Sequence, residues 1–224
     1  MNEHRLATLL RDAVLRGVHP QDDGRAELCE PWRQGVEGVV AFTGHAVVCL
    51  DGPDPAARLD TALARTGATG YEPGRGGATD ARVVVALAGR GRVDSLDLVL
   101  GAPGTGRAPE HLVDADGLDH PRAHLAASWR NDTRVLVDRR DPDAAVVTRS
   151  VGIVGLAEVS IEVSPAARGR GRARELLTEA RGLAEVDDVV LAAVAPGNAA
   201  SLRAAWSAGF RPVAAVQLWS GDEA

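Results

Sequence analysis

The sequence predicts an α/β fold with a mixed sheet, and three features lead to that class. Short apolar runs alternate along the chain with segments in which apolar residues recur at helical spacing. Glycines and prolines separate most of these segments. The clearest unit covers residues 156–183, where an alternating strand leads through an Arg/Gly loop into a helix.

The first half of the chain is predicted to contain two helices, which end at glycines, and several short strands. The predicted helices are 3–17 and 55–66. The predicted strands are two within 36–50, bent at residues 43–45, and one each at 82–88 and 96–100. The polar segment 19–32 and the glycine-rich segment 67–79 are predicted to be loops, the second of them mobile.

The second half has a denser pattern. Helices are predicted at 122–130, at 172–183 and from Asn198 to Gly209, where Asn198 is a good N-cap and Leu202, Ala205 and Trp206 form the buried stripe. A hairpin is predicted from strands at 134–137 and 144–148, and further strands are predicted at 156–163 and 189–194. The last segment, 210–219, is predicted to be one bent strand or two short ones around Pro212.

Composition restricts the class of protein. The formal net charge is −6, and all 25 basic residues are arginine. Because nucleic acids and anionic membranes bind to broad positive fields, neither is an expected partner. Cys29 and Cys49 lack the spacing of metal ligands or of a disulfide framework, so reduced thiols and no metal are expected. Without a signal peptide or a long apolar run, a cytoplasmic location is expected.

The strand at 156–163 has two chemically different faces. Val159, Ile161 and Val163 point to one side, whereas Glu158 and Glu162 point to the other with Ser160 between them. If both faces are covered, the carboxylates are partly buried and suited to general-base catalysis. If that face is wet, they are ordinary solvated groups, and the pattern alone leaves both interpretations open.

The loop after this strand is a candidate anion site. Gly169 and Gly171 allow backbone N–H groups to approach a ligand, and the following helix start carries a partial positive charge. Arg170, Arg172 and Arg174 crowd the same turn, where the helix dipole favours acidic residues. A bound anion would explain them, and solvated arginines in an arginine-rich chain are the alternative.

Two other phosphate motifs are weaker. The GAPGTGR segment at 101–107 resembles a nucleoside-triphosphate loop, but Arg107 and Ala108 replace its Lys and its magnesium-binding hydroxyl, so a linker between two domains is preferred. Gly169 and Gly171 could begin a dinucleotide fingerprint with Asp187 or Asp188 as its acidic residue. A hairpin precedes them, however, where that motif needs a βαβ unit.

Three short motifs follow one another within residues 120–220. They are Val163-Ser164-Pro165 followed by Arg168-Gly169-Arg170-Gly171-Arg172-Ala173, then Pro196-Gly197-Asn198-Ala199-Ala200-Ser201, and Ala208-Gly209-Phe210. In this order and spacing they resemble the GCN5-related N-acetyltransferase (GNAT) family. The resemblance implies a GNAT-like acyl-CoA-binding domain at 111–224. Residues 1–110 would be a further α/β domain, either a degenerate second GNAT-like half, which is slightly preferred, or an unrelated α+β cap.

The resemblance also implies roles for individual residues. The loop from Arg168 to Ala173 would bind the pyrophosphate of acetyl-CoA or another acyl-CoA. The backbone of Ile161 and Val163 would pair with the pantetheine arm, because the strand ending at Val163 would splay from the one beginning at Val189. Asn198 and Ser201 would line the far side of that arm.

One departure from the family pattern affects the chemistry. Many members place a Tyr, as general acid, where this chain has Ala205, and its one Tyr is Tyr71. A residue of the first half, a water or Ser201 would have to substitute, and Glu158 or Glu162 would be the base. The resulting expectation is an N-acyltransferase, monomeric or homodimeric, that acts on a small-molecule or peptide amine. The alternatives are a non-catalytic acyl-CoA-binding or interaction module and another type of CoA-thioester enzyme.

Overall fold

A computed structural model of the chain describes residues 4–67 and 77–220. Its strands form one mixed ten-stranded sheet in the order β1-β3-β2-β10-β4-β9-β8-β7-β6-β5. The strands are β1 (Arg25–Cys29), β2 (Val36–Phe42), β3 (His45–Cys49), β4 (Asp97–Pro103), β5 (Leu112–Asp114), β6 (Asn131–Asp138), β7 (Ala145–Val151), β8 (Ala157–Val163), β9 (Val189–Val194) and β10 (Arg211–Ser220). The predicted mixed α/β class is confirmed.

The described residues also contain six α-helices, and α6 has the N-cap that the sequence predicts. They are α1 (Arg5–Arg11), α2 (Pro55–Thr66), α3 (Ala81–Ala88), α4 (Pro121–Trp129), α5 (Arg172–Ala180) and α6 (Ala199–Ser207). Asp54 caps α2 and Asn198 caps α6 through side-chain oxygens. A π-helical turn, Asp12–Arg16, extends α1 up to Gly17, whose positive φ of 66° ends the helix.

The helices cover both faces of the sheet. On one face, α5 and α6 pack over β9 and β8 around Leu176 and Phe210, while α2 and α3 pack over β2 and β3 around Leu59 and Trp219. On the other face, α1 packs around Leu6 and Leu10. Apolar burial on both faces is the main contribution to stability in such a sheet.

The sheet connects the two halves of the chain. Strand β10, near the end of the sequence, lies between β2 and β4 and is antiparallel to both. Strand β4 in turn lies between β10 and β9. Strands from both sides of residue 110 therefore alternate in the centre of one sheet. The domain division there, and a degenerate second copy in the first half, stay predictions.

Two elements of the first half differ from the sequence prediction. The segment predicted as a strand at 82–88 is helix α3, because Asp80 accepts a hydrogen bond from the backbone N–H of Arg82 and caps it. Val83, Val84 and Leu87 are buried on one side of this helix, whereas Val85 is exposed. The predicted loop at 19–32 contains β1, whose partly buried residues pair with β3.

The expectation of two reduced thiols is wrong. Cys29 in β1 and Cys49 in β3 are direct partners in the parallel register and form a disulfide. Two cysteines twenty residues apart gave no sign of this, since only the strand pairing brings them together. His4 lies beside them, but its ring nitrogens contact the backbone N–H of Leu6 and the carbonyl of Glu30. This group of potential metal ligands is therefore occupied by protein contacts.

The glycine-rich loop prediction and Tyr71 fall mainly on residues 68–76, which lie outside the described residues. Among the helices within 4–67 and 77–220, none combines the length and apolar character needed to cross a membrane. In the last strand, Pro212 causes a register shift against β4, and β10 otherwise runs without a break.

Candidate functional site

The centre of the candidate site is a fork between two parallel strands. β8 pairs with β9 only at Ala157 with Val190 and at Glu158 with Leu191. Beyond these pairs, β9 continues beside β4 and β8 continues beside β7. The side of β8 that faces the fork therefore has no strand partner at Ile161 and Val163, which confirms the predicted splay.

The Arg/Gly loop follows directly from this open strand. A short 3₁₀ turn, Pro165–Ala167, leads to Gly169 and Gly171, which both have a φ of 76°. Their left-handed backbone favours glycine, and a Cβ built on either residue would meet no atom within 4 Å. Open space thus lies beside both glycines at the start of α5.

The backbone of this loop offers a run of free donors. Within the part of the chain that the structure describes, the N–H groups of residues 169–174 have no hydrogen-bond acceptor, and no side chain caps α5 at Gly171. The first bond of the turn is donated by Glu175 to the carbonyl of Gly171. Unpaired N–H groups at the start of a helix can bind an anion, so this loop is a candidate anion site.

The arginines of the loop divide into two groups. Arg170 and Arg174 are exposed, and no carboxylate among the described residues pairs with them. The Nε–H of Arg168 donates to the carbonyl of Val163 at 3.1 Å, at the end of the open strand. Arg172 points to the protein interior and binds Asp138. The two free guanidinium groups leave positive charge beside the free N–H groups.

Asp138 anchors the first turn of α5 to the end of β6. Its carboxylate is fully buried and accepts hydrogen bonds from Arg140 and from Arg172. Glu175 completes the cluster by binding both terminal nitrogens of Arg140 at 2.9 and 3.0 Å. The side-chain bonds from Arg140 lower the pKa of Asp138 to about 2, although burial acts in the opposite direction. The ionised Asp138 carboxylate then holds Arg172 in place.

Helix α6 follows β9, the second strand of the fork, and packs against β9 and α5. The Oδ1 atom of Asn198 accepts from the backbone N–H of Ser201 at 3.1 Å, which leaves the amide NH₂ group available. Ala205 is buried in the core against α5, so the position of the missing Tyr is filled by apolar packing. Trp206 was expected in the buried stripe, but 56% of it is exposed because the helix turns Ala205 inward instead.

The two candidate bases on β8 have different surroundings. Glu158 is only 3% exposed, and its Oε1 atom lies 2.5 Å from Nη2 of Arg130. Glu162 is exposed, and its carboxylate lies 3.5 Å from Nε of Arg122. The face is thus buried at the fork and wet toward the loop, and each carboxylate already has a cation partner.

A small polar cavity lies beside Glu158, on the face of the sheet opposite α5. Its volume is about 30 Å³. The lining includes two acidic residues from the start of β4, the Arg130–Glu158 pair and two tryptophans, and consists of Trp32, Asp94, Ser95, Asp97, Trp129, Arg130, Ile153, Glu158, Ala193, Val216 and Leu218. Ala193 lies on β9 just after its last pairing with β8, so the cavity adjoins the fork.

Asp97 and Trp129 are site residues that the sequence reasoning missed. Asp97 begins β4 and accepts a hydrogen bond from the hydroxyl of Ser95 at 2.9 Å. Burial raises the pKa of Asp97, and this effect outweighs the bond from Ser95. An Asp directly before an apolar strand is a weak signal, and only the placement of β4 next to β9 brings it to the fork.

Gly152 makes room for Glu158, and its substitution should disturb that carboxylate. A Cβ on Gly152 would collide with Oε2 and Cβ of Glu158. We expect Gly152→Ala to reduce the free energy of unfolding by about 1–3 kcal/mol, as overpacking does. Urea denaturation measures the change, and Gly197→Ala, where a Cβ meets nothing within 4 Å, is the control. Equal stability of the two variants would show that Glu158 is not confined there.

The two competing phosphate motifs are disfavoured for different reasons. In the 101–107 segment, the N–H groups of Gly104, Thr105 and Gly106 donate to the carbonyls of Asp188, Arg181 and Ala184. Residues up to Pro103 belong to β4. For the dinucleotide interpretation, the carboxylate of Asp188 lies 2.9 Å from Arg11. The first observation favours the Arg/Gly loop as the anion site, and the second shows that Asp188 is already engaged by a cation within the protein.

Comparisons with known proteins give structural matches only. No family model matches the sequence, and no curated protein matches it. A GNAT-family acetyltransferase from Novosphingobium aromaticivorans is 24% identical, with a TM-score of 0.41 over 61% of this chain and 69% of its own. One from Colwellia psychrerythraea is 14% identical, with a TM-score of 0.39 over 58% and 57%.

A GCN5-related N-acetyltransferase from Kribbella flavida is 13% identical, with a TM-score of 0.38 over 64% of both chains. At these TM-scores the likeness carries no functional conclusion, and the fork, the loop and the cavity are the basis for assigning a function. Over about 60% of its length, the chain is similar in structure to GNAT acetyltransferases.

Proposed function

We propose that this protein is an N-acyltransferase that transfers an acyl group, in the first instance acetyl, directly from an acyl-CoA to an amine. The observation that carries the proposal is the run of unpaired N–H groups at residues 169–174, directly after the open edge of β8. A diphosphate needs several donors in one place, and an extended amide chain needs an unpaired strand edge. The two features are adjacent in this chain.

The loop would hold the pyrophosphate of the acyl-CoA. The N–H groups from Gly169 to Arg174 would bind its oxygens, and the exposed guanidinium groups of Arg170 and Arg174 would balance its charge. Arg172 would act indirectly, because its pairing with buried Asp138 holds the first turn of α5 in place. The anion that the arginine-rich turn required would thus be the ligand itself.

The fork would hold the pantetheine arm and the thioester. The backbone groups of Ile161 and the N–H of Val163 have no strand partner on the fork side and can bind the amides of the arm, whereas the carbonyl of Val163 already accepts from Arg168. Asn198 and Ser201, at the start of α6, would line the other side of the arm. The thioester would then lie near Glu158 and Ala193, where the strands separate and the polar cavity adjoins the fork.

Isothermal titration with acetyl-CoA tests the binding step. We expect Gly171→Trp to weaken binding by at least about 30-fold, because the indole would fill the space at the helix start and a side chain there is strained. Gly117→Trp is the matched control, since Gly117 also has a positive φ and open space but lies in another turn. Absence of binding by the wild type, or equal binding by both variants, would refute the proposal.

A second function is favoured by one observation, the buried Ala205 at the position of the family's usual general acid. Without that acid, the fork could bind acyl-CoA without transferring from it. Thiol release from acetyl-CoA over a panel of small amines and peptides separates the two. Amine-dependent release supports the transferase, whereas binding without release from any amine supports a non-catalytic acyl-CoA-binding module.

A further inference from the structure

The fold brings His4 and the two cysteines together as three possible metal ligands. One ring nitrogen of His4 and the sulfur atoms of Cys29 and Cys49 lie within 4.8 Å of one another. They come from three elements, the cap of α1 and the strands β1 and β3. Within residues 4–67 and 77–220, no other group of three histidine, cysteine or acidic side chains meets this distance. Imidazole nitrogen and thiolate sulfur are preferred ligands of Zn²⁺ in proteins.

The disulfide form cannot bind a metal through these side chains. Cys29 and Cys49 are joined to each other, so neither offers a thiolate. His4 also has protein partners, because its Nδ1 atom accepts from the backbone N–H of Leu6 at 3.2 Å and its Nε2 atom lies 2.9 Å from the carbonyl oxygen of Glu30. The three ligands therefore become available only when the disulfide is reduced.

Reduction would leave the two sulfur atoms in a suitable place. Cys29 and Cys49 are direct partners in the parallel ladder, and their Cα atoms are 4.7 Å apart. Five residue pairs hold β1 to β3, so the strand pairing does not depend on the disulfide alone. Tetrahedral zinc with Zn–S bonds of about 2.3 Å needs its sulfur atoms about 3.8 Å apart. Rotation about the two Cα–Cβ bonds can supply this separation without movement of the strands.

The contacts of His4 can be exchanged for a metal bond. The bond between His4 and the Glu30 carbonyl is exposed to solvent. The bond from the Leu6 N–H, at 3.2 Å, is at the long end of the normal range for an N–H donor. Water can replace a partner at an exposed helix start, so the loss of either contact costs little.

Burial and charge also suit a thiolate-bound cation. Cys49 is fully buried, whereas Cys29 and His4 are partly exposed, so the group opens to solvent on one side. A Zn²⁺ ion with two thiolates has no net charge, and it can therefore lie beside the apolar cluster that contains Cys49 and Leu10. The open side gives the ion an entry path and lets water supply its fourth ligand.

We propose that Cys29, Cys49 and His4 bind one Zn²⁺ ion once a thiol reductant has opened the disulfide. In the reduction, two reductant thiols become a disulfide, and the two cysteines gain two electrons and two protons. Metal binding then releases both thiol protons and forms two Zn–S bonds. Hydrogen peroxide would reverse the change, because it takes two electrons from the thiolates and two protons from solvent, gives two water molecules and restores the disulfide with release of the ion.

The proposed metal site is separate from the proposed acyl transfer. Strands β1 and β3 lie at one edge of the sheet, and five strands separate β1 from the fork strand β8 on the path through β3, β2, β10, β4 and β9. Acetyl-CoA affinity should therefore stay within about twofold when zinc is bound. A failure of acetyl-CoA binding would contradict the proposed function and leave the metal site unaffected.

Zinc titration of the reduced and the oxidised protein tests the proposal. The full chain is reduced with tris(2-carboxyethyl)phosphine, and Zn²⁺ is titrated in competition with a chromogenic chelator. We expect one ion per chain, bound at least about 100-fold more tightly by the reduced protein, because only this form supplies thiolates. Zinc binding that is absent from the reduced protein, or equal in the two forms, would overturn the proposal.

Substitutions identify the ligands. Cys29→Ser should weaken zinc binding at least about 100-fold, and His4→Asn at least about tenfold, since each removes one metal bond. Asparagine is a good N-cap, so the second variant removes the ring but keeps the cap of α1. His124→Asn is the matched control, because His124 is exposed on α4, and it should bind zinc as the wild type does. Wild-type affinity in His4→Asn would contradict the three-ligand site.

Two measurements on the unsubstituted chain keep the test decisive if a variant fails to fold. Cobalt(II) bound to the reduced protein should show the intense visible bands of a tetrahedral site and a thiolate charge-transfer band in the near ultraviolet. Zinc at about 100 times its Kd should raise the Tm of the reduced protein by at least about 5 °C and leave the oxidised protein unchanged. A cobalt spectrum without the thiolate band, or equal Tm shifts in the two forms, would contradict the site.

Discussion

Replacing Asp138 by Asn is expected to lower the free energy of unfolding by about 3 kcal/mol at neutral pH. The carboxylate is fully buried, and its removal leaves the guanidinium groups of Arg140 and Arg172 with fewer acceptors in a partly buried place. Urea denaturation measures the change. Asp114→Asn is the matched control, because Asp114 pairs with Arg134 at 2.8 Å on an exposed part of β5 and β6 and should cost under about 1 kcal/mol.

The effect of Asp138 should depend on pH in a defined window. Its pKa is lowered from the ordinary 3.8 to about 2 by the bonds from Arg140, so its contribution is complete above about pH 4. As the pH falls from 4 toward 2, the native carboxylate is protonated, and about 2 kcal/mol of the difference between wild type and Asp138→Asn should disappear. A difference that stays constant over this range would contradict the ion cluster.

Replacing Trp219 by Ala is expected to cost about 4 kcal/mol. Trp219 is fully buried among the residues of α2, α3, β2 and β3, although it lies on β10 near the end of the chain. Its Nε1–H donates to Oε2 of buried Glu37 at 2.8 Å, so the variant creates a cavity and removes a donor from a buried carboxylate. Thermal or urea unfolding measures the loss.

Trp206→Ala is the control for this substitution. Trp206 is also in the last twenty residues but is 56% exposed on α6, so its loss should cost under about 1 kcal/mol. Similar stability of the two alanine variants would mean that β10 does not join the first half of the chain to the second. Because Trp219 packs on elements of the first half, this measurement also tests whether the sheet is continuous across residue 110.

Local sequence signals predicted the strand, loop and helix at residues 157–180 well. Three features are determined by residues that are close in sequence, and they can therefore be predicted from it. They are the alternation along β8, the glycines at positive φ and the apolar spacing of α5. The cap at Asn198 and the end of α6 at Gly209 were predicted for the same reason. These features depend on backbone conformation and short-range burial.

Long-range strand order could not be predicted in the same way. The disulfide between Cys29 and Cys49 follows from the pairing of β1 with β3, and the location of Asp97 follows from the insertion of β4 between β9 and β10. Neither pairing leaves a periodic signal. Helix α3 was missed because its run of valines favours a strand locally, while the Asp80 cap and burial on one side favour a helix.

The central claim is that an acyl-CoA binds on the free N–H groups of the Arg/Gly loop and along the open edge of β8. Backbone hydrogen–deuterium exchange with and without acetyl-CoA tests it most directly, since unpaired N–H groups exchange fast and become protected once they donate to a ligand. We predict protection at residues 169–174 and at Ile161 and Val163. Binding of acetyl-CoA with unchanged exchange at these residues, or with protection confined to the 101–107 segment, would contradict the account.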